Sequence, residues 1–206
     1  MNRQPYTDMS IFHSVLALCM GISLSAACGF RVFVPLLAVA LMVKFGDVHV
    51  NESLAWVGSD AAVLCLAVAT LTEIAAYYIP WVDNLLDSIT VPMAAVAGTI
   101  ITSGMMPDLP GFMQWGIAIV AGGGTAAAIS GGTALLRGGS TATTGGLGNC
   151  VVSTTENTLA IGGTALAFFS PLLAIIGLVL LLIGGVWFLC RFRRRKKAEE
   201  TATAAS

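Results

Sequence analysis

Leu71-Thr72-Glu73-Ile74-Ala75-Ala76-Tyr77-Tyr78-Ile79-Pro80-Trp81-Val82-Asp83-Asn84-Leu85-Leu86-Asp87 sets three carboxylates, Glu73, Asp83 and Asp87, against long apolar runs. Its opening has an echo: Thr72-Glu73 returns as Thr155-Glu156, again within a segment that reads as membrane-buried. After each pair comes a proline and, six residues later, a glycine: Pro92 to Gly98 and Pro171 to Gly177. A carboxylate in hydrocarbon costs several kcal/mol, so a repeated one needs a physical reason.

Composition assigns the class around that stretch. Hydrophobic residues make up 56% of the 206-residue chain and charged residues only 10%, with a mean hydropathy of +0.86. These values lie outside the range of a soluble domain. Ser88–Pro107, Leu109–Leu136 and Asn157–Cys190 carry no charge, and about 20 helical residues cross the hydrocarbon layer. The net charge of −1 and the lack of a basic patch before the tail give no reason to expect nucleic acid as a partner. Five cysteines, Cys19, Cys28, Cys65, Cys150 and Cys190, form no CxxC and no metal-ligand spacing. They read as reduced packing residues.

Residues 11–45 read as one long span or two shorter helices, interrupted at Gly29-Phe30-Arg31 and Pro35. Leu24-Ser25-Ala26-Ala27-Cys28 imitates a cleavage site. The apolar run continues past it to Phe45, whereas a signal peptide has a short core, so processing there is not expected. Arg31 is the only full charge from Ser10 to Val43. It is either a structural residue capping helix carbonyls or a partner of Glu73 or Glu156. Residues 46–60, with Asp47, His49, Glu52 and Asp60 against Lys44 alone, suit an outer loop. Residues 61–79 form the second span and Ser88–Met106 the third. Between them Tyr77, Tyr78 and Trp81 fit an interfacial aromatic belt. Asp83 and Asp87, four residues apart, share a helix face and form either a solvated turn or a candidate access site for a cation or proton.

In the second half, Trp115–Ala127 contains a formal GxGxxA, but its apolar surroundings and the lack of a following acidic residue argue against dinucleotide binding. Its glycines suit close helix packing instead. The segment around Arg137-Gly138-Gly139-Ser140 also suits an unwound or re-entrant stretch. Val151-Val152-Ser153-Thr154-Thr155-Glu156-Asn157-Thr158 concentrates hydroxyls, a carboxylate and an amide on a few turns. The run Arg191–Lys197 closes the last span and points to a cytoplasmic C-terminus, with Ala198–Ser206 as an unstructured tail.

Ala26-Ala27-Cys28-Gly29-Phe30-Arg31, Thr72–Asp83 and Ser153-Thr154-Thr155-Glu156-Asn157 resemble the corresponding runs of an uncharacterised family of small membrane proteins, domain of unknown function 4126. The likeness extends from about Ser10 to Leu189. It implies a compact polytopic bundle of prokaryotic inner-membrane type and brings no activity with it.

The resulting expectation is an all-α integral membrane bundle of about six transmembrane helices, arranged as two inverted three-helix repeats with broken or re-entrant segments. The expected organisation is a cytoplasmic segment 1–9, repeat one over 10–107, repeat two over 108–190 and a basic cytoplasmic tail over 191–206. An ion or small-solute site falls to Glu73, Glu156, Arg31, Asn157, Thr155 and Thr72, making a small transporter or channel the leading function. The alternative is a scaffold or lipid-handling protein in which these charges form a buried structural network. No Ser-His-Asp, HExxH or Cys-His set can be assembled, no cofactor is expected, and no metal is named. The expected partners are the bilayer and an ion or small solute, with a homo-oligomer as a further option.

Overall fold

The computed structural model describes residues 5–46, 48, 50–52, 54–106 and 109–204, the side chains of 5–11, 80, 81, 83, 84, 188–190 and 192–204 excepted. Among the described residues the chain is helical and has no strand. The helices are α1 (Pro5–Phe30), α2 (Phe33–Phe45), α3 (Asp60–Ala76) and α4 (Pro80–Met105), then α5 (Gly111–Thr144), α6 (Asn149–Phe169) and α7 (Pro171–Ala204). Within α5, Ala118–Gly123 is a π-helical turn. Three stretches, Phe12–Phe30, Leu85–Met105 and Gly111–Thr144, are long and apolar enough to cross a bilayer. The protein is a helical membrane protein.

Helix boundaries follow local chemistry. Ser59 caps α3, its Oγ accepting from the Ala62 N–H. Pro80 and Pro171 open α4 and α7, where a missing N–H costs nothing. Gly145, at φ +64°, ends α5 in the left-handed region that glycine occupies without penalty. The backbone of α7 stays helical through the basic run to Ala204, where an unstructured tail was expected. A helix whose apolar face is already held in the bundle propagates at little cost per residue.

The interruption at Gly29-Phe30-Arg31 is a reversal. Gly21 of α1 lies against Thr102 and Met105, at the C-terminal end of α4. Further along α1, Ser25 donates to the Gly98 carbonyl at 2.7 Å. After α2 the chain is back at that same end, where the Asn51 N–H donates to the Gly104 carbonyl at 3.0 Å and Asn51 Nδ2 to the Ser103 carbonyl at 2.7 Å. Residues 31 and 32 are thus the apex of a helical hairpin, with Val32, Phe33 and Leu36 beside Pro92, Met93 and Val96 in an apolar groove of about 360 Å³. At the open end Lys44 pairs with Asp60. Its ammonium, as hydrogen-bond donor and as charge, holds the Asp60 carboxyl below its ordinary range. The first half thereby contains four helices where three spans were expected.

α1 is the central element and packs against α4, α5, α6 and α7. Small residues allow this. A Cβ on Gly98 would fall 2.8 Å from Ala126 Cβ and 2.9 Å from the Gly122 carbonyl. One on Gly29 would fall 2.6 Å from Ile129 Cβ. In hydrocarbon, close backbone approach replaces the hydrophobic effect as the source of helix association.

Gly131 and Gly138 of α5, by contrast, have nothing within 4 Å of a built Cβ. Gly98→Ala and Gly29→Ala should each lose about 1–3 kcal/mol through overpacking. Gly131→Ala and Gly138→Ala should gain about 0.5–1 kcal/mol from helix propensity. Thermal unfolding of the four variants in detergent checks both signs.

Candidate functional site

A helix that begins inside a bundle exposes amide donors that water would otherwise satisfy. At the start of α2 these are the N–H groups of Val32, Phe33 and Val34, since Pro35 has none. Glu73, 7% exposed on the last turn of α3, meets two of them. Its Oε1 accepts from the Val32 N–H at 2.7 Å and its Oε2 from the Phe33 N–H at 3.0 Å. The carboxylate also meets the positive end of the α2 dipole. This is why an acid at Glu73 is tolerated.

Arg31 sits at the apex and is fully buried. Its Nε donates to Asn157 Oδ1 at 2.5 Å and its Nη2 to the Ser153 carbonyl at 3.3 Å. Its Nη1 lies 3.3 Å from Glu156 Oε2. Of the two partners left open by the sequence, Glu156 forms this ion pair. A second arginine, Arg137 of α5, 1% exposed, reaches the same oxygen with its Nη2. Its Nη1 donates to Asp87 Oδ1 at 3.1 Å. One carboxylate oxygen of Glu156 is therefore shared by two guanidiniums, while Oε1, also buried, has no hydrogen-bond partner among the described residues.

Tyr77 binds the two arginines together. Their guanidinium carbons lie over its ring, 3.9 Å (Arg31) and 4.0 Å (Arg137) from the centroid. A desolvated cation over an aromatic face gains about 2 kcal/mol. The ring is held at its far end, where the Tyr77 hydroxyl lies 2.6 Å from Thr90 Oγ1. Because Thr90 donates its own proton to the Leu86 carbonyl, the Tyr77 hydroxyl is the donor in that contact. Ser153 Oγ donates to the Tyr77 carbonyl at 3.4 Å and fixes α6 against the end of α3. The cluster opens toward the α3–α4 turn. Asp87 is 18% exposed there and Tyr78 43%, and Asn157 Nδ2 donates to the Tyr78 hydroxyl at 3.3 Å.

Glu73, Glu156, Arg31 and Asn157 thus come together at the apex. Thr72 and Thr155 do not. Both are exposed, and their hydroxyls donate to carbonyls one turn back, Val68 and Val151, as membrane-helix threonines do when no partner helix faces them. Asp87 is paired with Arg137 at the mouth of the cluster, and the side chain of Asp83 lies outside the described residues. Tyr77 is buried beneath the arginines instead of in an aromatic belt. Arg137 lies in the α-helical stretch Gly124–Thr144, not in an unwound one, and joins the site. The signal for Arg137 was its isolation as the only charge between Asp108 and Glu156. Among the described residues no group of three or more His, Cys, Asp or Glu side chains could hold a metal ion.

Removing one member of a buried ion pair costs about 3–5 kcal/mol, because the other charge is stranded. Glu156→Gln should therefore be the most destabilising change here, and combining it with Arg137→Gln should recover part of the loss. Glu73→Gln keeps one good acceptor for two N–H groups and should cost about 1–3 kcal/mol. Because its bonds go to backbone, adding Arg31→Gln should not rescue it. Thermal unfolding of the four variants in detergent measures these couplings, and a rescued Glu73→Gln would contradict the capping role.

No curated protein and no solved structure matches the chain. Residues 18–191 match a family described as a domain of unknown function (DUF4126), and that span includes every residue of the cluster. The chain belongs to that family.

Proposed function

We propose that the protein is a small polytopic transporter or channel for an ion or small solute, with the cluster of Arg31, Arg137, Glu156 and Glu73 as its central site. The observation that carries this reading is the junction of a broken helix with two fully buried arginines on one shared carboxylate. Discontinuous helices with ionisable groups at the break are the usual means of placing a solute site inside a membrane bundle. A second reading, a structural charge lock in a non-transporting scaffold, is favoured by Glu73, whose two oxygens both cap α2.

The inverted-repeat reading takes revised bounds. Helices α2, α3 and α4 form one unit and α5, α6 and α7 the other, with α1 as an additional central helix. α2 starts at the apex end of the bundle and α5 at the opposite end, beside the C-terminus of α4. The two glutamates then fall on the middle helices, α3 and α6, which run antiparallel. Six of the ten Lys and Arg residues lie in 191–197, which assigns the C-terminal end of α7 to the cytoplasm. Because the hairpin adds a return pass, the segment before α1 is assigned to the outside, in place of the cytoplasmic segment 1–9. In prokaryotic cells this gives a multi-pass inner-membrane protein.

In proteoliposomes under an imposed pH or ion gradient the wild type should give flux, and Arg137→Gln should abolish it in protein that still inserts. A wild type silent under every gradient would leave the structural lock. Reporters at residues 50 and 170 should lie outside, and those at 84, 146 and 206 inside. Residues 50 and 84 on one side would remove α3 as a pass and the three-plus-three arrangement with it.

A further inference from the structure

We infer that the arginine pair is a binding site for a small monovalent oxyanion, that Glu156 occupies it as a tethered substitute, and that the anion enters only as Glu156 takes up a proton. This rests on the proposed transport reading and names its substrate class. Guanidinium groups recognise planar oxyanions through paired N–H donors, and two of them converging on one point form a site for negative charge. Here both converge on a single oxygen of Glu156, Arg31 by Nη1 at 3.3 Å and Arg137 by Nη2. A carboxylate placed for structure alone would be expected to present both oxygens to its partners. Glu156 Oε1 is buried and has no hydrogen-bond partner among the described residues. Glu156 thus meets the two guanidiniums with one oxygen and leaves its other acceptor unused, whereas a free planar oxyanion could present an oxygen to each.

A cation is the poorer candidate for the same place. It would have to sit beside two guanidiniums, each within 4.0 Å of the Tyr77 centroid. The groups facing Glu156 are Arg31, just after α1, and Arg137 from α5, with Asp87 of α4 behind Arg137, and Glu73 of α3 and Tyr77 at its C-terminal cap beside the pair. Charge balances in the exchange. Glu156 carboxylate becomes the neutral acid by taking one proton, one anion takes its place on the guanidiniums, and the charge of the cluster is unchanged. The path runs from the side of Asp87 and Tyr78, where the cluster reaches the surface. One proton and one monovalent anion would then move together.

Isothermal titration calorimetry of the full chain in detergent tests this, with potassium formate and potassium phosphate as probes and potassium gluconate, a much larger carboxylate, as the ionic-strength control. The wild type should bind at least one probe, with affinity rising about tenfold for each unit of falling pH while Glu156 is ionised. Runs with formate, which is fully ionised near neutral pH and takes up no proton itself, in two buffers of different ionisation enthalpy should show uptake of about one proton per anion. Preference for formate or for phosphate identifies the source as a carboxylate or a phosphate. Glu156→Ala should bind the same probe without that pH dependence and regain thermal stability in its presence, while Arg137→Gln should lose binding. If Glu156→Ala cannot be purified, the wild-type proton count decides. No binding by the wild type, binding without proton uptake, or equal effects of gluconate would overturn the inference. Proton-linked binding with no flux in proteoliposomes would remove the transport reading and leave the anion site standing. Flux of a cation with no proton-linked anion binding would do the reverse.

Discussion

A helix cannot end inside hydrocarbon unless something replaces the water its first amides would have bonded. In this protein that replacement is the Glu73 carboxylate on the Val32 and Phe33 N–H groups, helped by Pro35, which has no N–H to satisfy. The reversal between α1 and α2 rests on this contact. With it, α2 returns along α4, Asn51 reaches the Ser103 and Gly104 carbonyls, and Arg31 is held at the apex. Without it, the cheaper course for the chain is to continue α1 as one long helix, which would carry Arg31 away from α6.

The apex in turn explains how so much charge is buried. Two arginines at 0% and 1% exposure would be prohibitive singly. They are made tolerable by Glu156 and Asp87, by the Tyr77 ring and by carbonyl and amide acceptors on α6. The contributions come from five helices, so the cluster exists only when the bundle is assembled. That dependence couples the stability of the protein to the state of its site. It also links the two readings of function: a lock and a switch differ in whether Glu156 ever releases the arginines.

Elsewhere the bundle is held by close backbone contact. Gly98, Gly122 and Ser25 bring α4, α5 and α1 together one to two turns from the apex. The π turn at Ala118–Gly123 sits in this contact, with Gly122 against Thr102 and Gly123 against Thr99. A π turn carries a looser hydrogen-bond ladder than the α-helix around it. The second discontinuity of the fold therefore lies where α5 meets α4, on the helix that also carries Arg137.

The sequence alone determined the class, the polar residues and most of the helix limits. Charge-free runs such as Asn157–Cys190, the prolines at 80 and 171 and the isolated acids Glu73 and Glu156 are local facts, readable because bilayer thickness and helix geometry leave few options. It also located the interruption after Gly29. It did not show that the interruption is a reversal, because a break and a hairpin have the same local composition. The direction is set by the Asn51 contacts with α4, more than 50 residues away in the chain. Nor could it choose between Glu73 and Glu156 for Arg31, or bring in Arg137. An ion pair among five helices depends on the depth and facing of each helix, and those follow from packing at Gly98 and Gly29, which only the tertiary structure decides.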